Sequence, residues 1–213
     1  MLSALFNDPI LVLYRIPALL LAISVHEAMH GYVAYKLGDP TAKMMGRLTL
    51  NPAKHLNIIG TAMLLLLGFG FATPVPVNAR NFKKPRRDMA LVALAGPLSN
   101  ILLAIVGIVL TCAFSYLPID QSAPIFSALY MLLSVFISLN IGFAVFNMLP
   151  IPPLDGFRVL FSFLPPKASF WVLQYEQYIQ AFFFIALFLG VFDGVLSFLF
   201  GTVLGVLISI FAF

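Results

Sequence analysis

The sequence has little charge and few of the side chains that build disulfides. Only 9% of its 213 residues are charged, and it contains one cysteine. Soluble domains carry about 25% charged residues, so this composition excludes an ordinary soluble domain. The lone Cys112 excludes an internal disulfide. The net charge of +4 comes mainly from two loops, and no nucleic-acid motif accompanies it, so we expect no nucleic-acid partner.

Apolar residues are what the chain has in abundance. They make up 62% of it, and the mean hydropathy is +1.03. Such a chain must use the lipid bilayer as its solvent and partner, which predicts a polytopic integral membrane protein with a single domain over residues 1–213. Five apolar segments predict five membrane-spanning helices, at residues 9–37, 89–116, 125–149, 168–190 and 195–213. Gly38, Asp39 and Pro40 are expected to stop the first helix.

Shorter segments complete the predicted fold. As a helix, residues 57–72 would rise only about 24 Å against a bilayer core of about 30 Å. The loops on either side, 38–56 and 73–88, are both basic, and the positive-inside rule places both in the cytoplasm, so we predict a re-entrant segment. Polar and apolar residues alternate over residues 46–50, and proline and valine alternate over residues 74–78. These patterns indicate a short membrane-associated β element. The fold class is therefore all-α with this small β addition.

The motif HEAMH at residues 26–30 lies inside the first apolar segment. Positions i and i+4 share one helix face, so His26 and His30 can bind one metal ion while Glu27 stands beside it. Ionisable groups at bilayer depth are candidates for function. A catalytic zinc usually needs a third protein ligand, and the candidates are His55 and Asp155, which follows a proline-broken stretch.

Two further motifs give the sequence a family resemblance. They are NMLPIPPLDG at residues 147–156 and AGPLSN at residues 95–100. Together with HEAMH, in this order, they resemble the site-2 protease family of intramembrane zinc metalloproteases. The segments GDPTAK at residues 38–43 and NPAKH at residues 51–55 resemble the compact prokaryotic branch of the family, which implies no PDZ or CBS domain.

The resemblance implies a role for each matching residue. Zn²⁺ would be bound by His26, His30 and Asp155, and Glu27 would be the general base. Asn147 matches the family's asparagine, whose amide could hydrogen-bond the substrate backbone or the oxyanion. The implied protein is a multi-pass cell-membrane endopeptidase, with its active site nearer the cytoplasmic side. Its expected partner is a membrane-spanning or membrane-associated protein substrate, cleaved by regulated intramembrane proteolysis.

An extended substrate strand is expected to bind beside the first β run. Leu48 and Thr49 are the predicted substrate-binding residues there, with Asn147. Three other interpretations stay open at the level of single residues. Asn147 could make a plain interhelical hydrogen bond, Asn100 could serve helix packing, and His55 could be an ordinary loop histidine. For the whole chain, the alternatives are a membrane ion or metal transporter that uses the same cluster, and a catalytically silent relative of the proteases.

Overall fold

The structure is a computed structural model, and it describes residues 9–57, 60, 63, 73–116 and 123–211. The helices in chain order are α1 (Pro9–Lys36), α2 (Thr41–Met44), α3 (Pro85–Ser115), α4 (Pro124–Asn147), α5 (Asp155–Phe163), α6 (Pro166–Phe188) and α7 (Asp193–Phe211). Short 3₁₀ turns occur at Pro52–Lys54 and Ala79–Asn81. The predicted re-entrant segment 57–72 lies outside the described residues, apart from positions 57, 60 and 63.

Helix α1 ends where the sequence predicts. Its last residue is Lys36, and Gly38 follows with φ of +110°, a left-handed conformation that glycine adopts without a steric penalty. The Asp39 amide then donates to the carbonyl of Ala34 at 2.9 Å. This closes the final turn and directs the chain into the loop before α2.

Helix α3 is the central helix, and α1, α4 and α5 all pack against it. Small side chains allow this close approach, as is common between helices in membranes. Ala93 and Ala104 are almost completely buried, and a Cβ added to Gly107 would lie 2.6 Å from Cγ1 of Ile137. The close packing brings one face of α1 directly against α3.

Two apolar clusters hold the remaining helices. Ala104 and Ile108 of α3 pack with Ile137 and Ile141 of α4 and with Leu207 of α7. A second cluster joins α6 to the chain just before α5, through the buried residues Phe183, Leu149 and Leu154. Contacts of Leu149 and Leu154 with Phe183 of α6 therefore fix the turn that leads into α5.

The all-helical polytopic fold predicted from composition is confirmed. Within the described residues, α1 (from Ile10), α3, α4 and α7 are long and apolar enough to cross a membrane. The fifth predicted crossing, 168–190, does form a helix, α6, but it is not among these candidates. Its polar residues explain the difference; they include Gln174, Glu176, Gln177 and Gln180.

The predicted β element is wrong for the described residues. Residues 46–50 form turns and bends, beginning with Gly46 at φ of +64°. Residues 74–78 are extended but belong to no sheet. Two of their backbone donors are bound by side chains instead of a neighbouring strand, since Val75 donates to Glu27 and Asn78 donates to Asp39. The prolines of this run have no donor to offer.

Candidate metal centre

His26 and His30 lie one turn apart on the face of α1 that packs against α3. Their rings meet edge to face, with centroids 4.6 Å apart, and both side chains are buried. The i, i+4 spacing of the motif therefore places the two imidazoles together, as the sequence predicts.

Asp155 reaches the same point from the other end of the chain. It is the first residue of α5, and its Oδ2 lies 3.1 Å from Nε2 of His26 and 3.2 Å from Nε2 of His30. The turn before α5 allows this only because residue 156 is glycine. A Cβ on Gly156 would lie 2.2 Å from the carbonyl oxygen of Met148.

The donor chemistry of the three side chains fits a metal cation. Nδ1 of His30 lies 2.7 Å from the carbonyl oxygen of Val92, which can only accept, so Nδ1 carries the proton and Nε2 presents its lone pair. Ligand atoms of His26, His30 and Asp155 all lie within 4.8 Å of one another. Two imidazoles and one carboxylate are a usual ligand set for catalytic zinc.

Gly96 of α3 makes the space for this group. A Cβ at this position would lie 2.5 Å from Nε2 of His30 and 2.6 Å from Nε2 of His26. Any larger residue would therefore occupy the volume in front of the ligand nitrogens. The glycine of the AGPLSN motif therefore leaves the space that the two histidine side chains and a metal ion require.

Glu27 is buried beside the two histidines. Its Oε2 accepts a hydrogen bond of 3.0 Å from the backbone N–H of Val75, in the extended segment 73–78. This bond fixes the carboxylate next to the metal-binding group. It also holds the extended segment 73–78 against α1, where Val75 packs beside Gly31.

The structure does not bring the two remaining polar candidates into the cluster. Asn147 is the last residue of α4, and its Nδ2 donates to the carbonyl of Phe143 at 3.0 Å. His55 is fully buried, with Nε2 2.8 Å from the carbonyl oxygen of Thr49. Of the two candidates for a third ligand, the structure places Asp155 and not His55 beside the histidine pair.

Leu48 and Thr49 line a cavity beside the motif helix. The cavity has a volume of about 240 Å³. Its other lining residues are Val25, Ala28, Met29, Tyr32 and Leu50. Val25, Ala28, Met29 and Tyr32 share one face of α1, so the cavity runs along this helix; His26, Glu27, His30 and Asp155 are not among its lining residues.

Sequence reasoning missed three contributors to the centre, the first being the backbone carbonyl of Val92, which holds Nδ1 of His30. Val75 contributes a backbone donor, which no side-chain pattern reveals. Asn140 lies in the apolar helix α4 and hydrogen-bonds Asn100, which in turn lies 2.6 Å from His26. The available signal was an amide side chain inside an apolar run, which is costly unless it has partners.

The fold and the site together define a membrane-embedded metalloprotease. Comparison with known proteins agrees: the model of peptidase family M50 matches residues 14–117 and 114–191. The chain therefore belongs to peptidase family M50, the site-2 protease family. It is an integral membrane protein and a zinc metalloprotease.

Individual relatives point the same way. The chain is 45% identical over 165 residues to "Putative zinc metalloprotease YwhC" of Bacillus subtilis, covering 78% of this chain and 75% of the relative. It is 32% identical over 190 residues to "Putative zinc metalloprotease Rip2" of Mycobacterium tuberculosis, covering 85% and 70%. No solved structure matches the chain at a significant level.

Proposed function

We propose that this metalloprotease is an endopeptidase that cuts membrane-spanning or membrane-associated protein substrates within the bilayer, in regulated intramembrane proteolysis. The observation that carries the proposal is the position of the donor set. His26 lies ten residues before the end of α1 at Lys36, roughly 15 Å along a helix that can span the membrane. A peptide bond reaching this point would be inside the bilayer.

Each side chain has a role in the proposed reaction. Zn²⁺ held by His26, His30 and Asp155 would supply Lewis-acid polarisation of the scissile carbonyl and of the attacking water. Glu27 accepts the proton from the water as its oxygen bonds to the carbonyl carbon. Glu27 then delivers this proton to the leaving amine as the C–N bond breaks.

Asn147 is proposed to bind the substrate. Its amide has two N–H donors, and the described structure uses one of them for Phe143. The second N–H and the side-chain carbonyl remain for a substrate backbone or an oxyanion. The side chain is half-buried at the end of α4, where α5 and its Asp155 follow after a short turn.

The substrate is proposed to bind in extended form, because a helix hides its carbonyls in its own hydrogen bonds. The cavity lined by Leu48 and Thr49 is the candidate binding surface, since it runs along the helix α1 that carries the HEAMH motif. The basic loops 38–56 and 73–88 favour a cytoplasmic location for this end of α1, in the cell membrane.

Cleavage of a single-span model substrate in proteoliposomes tests the proposal. We expect Glu27→Gln to keep its zinc and lose at least about 100-fold in rate, because the amide cannot accept the water's proton. Glu176→Gln is the matched control, since Glu176 is the only other glutamate and lies on α6. Mass spectrometry of the products should place the cut inside the apolar span. Equal rates for both variants, or a cut only in a soluble loop, would contradict the proposal.

A further inference from the structure

A chain of hydrogen bonds leads from α4 through α3 to the metal-binding group on α1. Asn140 Nδ2 donates to the carbonyl of Phe136 at 2.9 Å, and Asn100 Nδ2 donates to Asn140 Oδ1 at 2.8 Å. Asn100 Oδ1 lies 2.6 Å from Nδ1 of His26. Asn100 and Asn140 are completely buried. An asparagine pair buried in this way requires consistent donor and acceptor directions along its whole length.

Backbone carbonyls fix the direction of every bond in this chain. The carbonyl of Phe136 can only accept, so the Asn140 amide must turn its NH₂ toward it and its Oδ1 toward Asn100. The NH₂ of Asn100 faces Asn140 and also lies 3.3 Å from the carbonyl of Ala22. Oδ1 of Asn100 is therefore left for His26, which must bring its proton on Nδ1.

We infer that Asn140 is a positioning residue for the metal centre, acting through Asn100 on His26. With its proton held on Nδ1, His26 presents a bare Nε2 toward Asp155 and the metal position. Without Asn140, the NH₂ of Asn100 keeps only the longer contact to the carbonyl of Ala22, at 3.3 Å, and the amide turns over more readily to present its NH₂ to His26. That would favour the wrong tautomer, with the proton on the ligand nitrogen.

We call the hydrogen-bond chain from Asn140 through Asn100 to His26 the relay. His30 shows why only His26 needs such a relay. Its Nδ1 is held directly by the backbone carbonyl of Val92, at 2.7 Å. A backbone carbonyl cannot be reversed, whereas an amide side chain can. The inference rests on the proposed function, because it takes His26 as a metal ligand.

Zinc affinity of the full-length protein in detergent, measured by chelator competition, tests the relay. We expect Asn140→Leu to raise the dissociation constant for zinc about 10- to 100-fold, the usual effect of losing an outer partner of a ligand histidine. Ser99→Ala is the matched control, because Ser99 is buried beside Asn100 and, in the part of the chain that the structure describes, its hydroxyl donates within its own helix to the carbonyl of Gly96. We expect this control to bind zinc as the wild type does.

The decisive comparison measures the effect of Asn140→Leu on zinc affinity in a second background, the Asn100→Asp variant. In Asn100→Asp, the carboxylate is an acceptor only, so His26 keeps its proton on Nδ1, and the hydrogen bond to Asn140 Oδ1 is already lost in this background. We expect Asn140→Leu to cost no further zinc affinity there, whereas a purely structural role would give the same loss in both backgrounds. In the cobalt-substituted proteins, Asn140→Leu should change the absorption spectrum in the wild-type background and leave it unchanged in the Asn100→Asp background.

The outcomes separate the relay from the function on which it rests. Equal losses in both backgrounds, no loss in either, or failure of Asn140→Leu to fold in both would overturn the relay. Zinc binding by the wild type that does not depend on His26 would instead overturn the proposed metal site.

Discussion

The two histidines of the candidate centre are preorganised by groups behind them. Val92 holds His30 and Asn100 holds His26, each through Nδ1 at less than 3 Å. The Nε2 atoms are therefore directed toward Asp155. Such outer partners raise ligand basicity and reduce the ordering required on binding.

Gly96 gives the sharpest steric prediction. We expect Gly96→Ala to lose zinc while the chain still folds, because the added methyl would lie 2.5 Å from Nε2 of His30. Alanine itself suits a helix better than glycine by about 0.5–1 kcal/mol, so helix propensity cannot cause the loss. Metal analysis of the purified protein gives the readout.

Gly142→Ala is the control for this prediction. Gly142 also lies within a helix, α4, but a Cβ there meets nothing within 4 Å. It should bind zinc as the wild type does. A full zinc content in Gly96→Ala would show that the metal lies elsewhere.

The extended segment 73–78 is tied to α1 and its neighbouring loop at three points. Thr73 N donates to the carbonyl of His55 at 2.8 Å, Val75 N to Glu27, and Asn78 N to Asp39 at 2.7 Å. All three donors belong to the backbone. The segment therefore positions the proposed base while adding no charged group of its own to the site.

Val75→Pro removes the backbone donor to Glu27 without disturbing the extended backbone, which the neighbouring prolines already favour; it also replaces a buried valine side chain, as Val75→Ala does. A hydrogen bond to a charged group contributes about 1.5–3 kcal/mol. We expect kcat to fall by about 10- to 100-fold with zinc content and KM little changed. Val75→Ala keeps the N–H and should retain most of kcat. Identical kcat values for the two variants would show that the backbone donor is irrelevant.

Asp39 secures the far end of this segment. Burial alone would raise the pKa of its carboxyl group, but hydrogen bonds from Thr41, Asn78 and Asn81 outweigh burial and hold the pKa below its usual value. A group with a lowered folded-state pKa stabilises the fold fully above its unfolded pKa of about 3.9, and this contribution is lost as the pH falls further.

The Asp39→Asn variant should therefore be less stable at neutral pH, by about 1–3 kcal/mol, because the hydrogen bonds from Thr41, Asn78 and Asn81 lose their charged acceptor. Between pH 7 and pH 3, its melting temperature should fall less than that of the wild type, since asparagine has no charge to lose. In Asp193→Asn, which changes an exposed position, the melting temperature should fall between pH 7 and pH 3 as much as it does in the wild type. If the melting temperature of Asp39→Asn falls as much as that of the wild type between pH 7 and pH 3, the acid sensitivity belongs to another carboxylate.

Local sequence patterns predicted the helices and the pairing of the two histidines but not the long-range contacts between them and the rest of the chain. Apolar runs fixed α1 and its end near Gly38, and the i, i+4 rule placed the histidine pair. The strand prediction for 74–78 failed because its donors are bound by residues about 40 or more positions away. Asn140 was missed for the same reason: its partner Asn100 lies 40 residues earlier in the chain.

Across the molecule, large apolar side chains point outward from the helices. Examples with more than half of their surface exposed are Leu13, Leu102, Phe182, Phe188 and Phe198. In water such a surface would drive aggregation, but in a bilayer it contacts lipid at no cost. The polar groups are collected on the inside, where α1, α3, α4 and α5 meet. A buried metal centre surrounded by lipid-facing helices suits hydrolysis inside the membrane.

The central claim is that the zinc is held by His26, His30 and Asp155, and zinc content per chain tests it most directly. We expect about one Zn²⁺ in the wild type and in His55→Ala, because His55 bonds Thr49 and lies outside the cluster. Alanine at His26, His30 or Asp155 should each remove most of the metal, since a three-ligand site rarely survives the loss of one ligand. Full zinc in Asp155→Ala together with loss in His55→Ala would contradict the account.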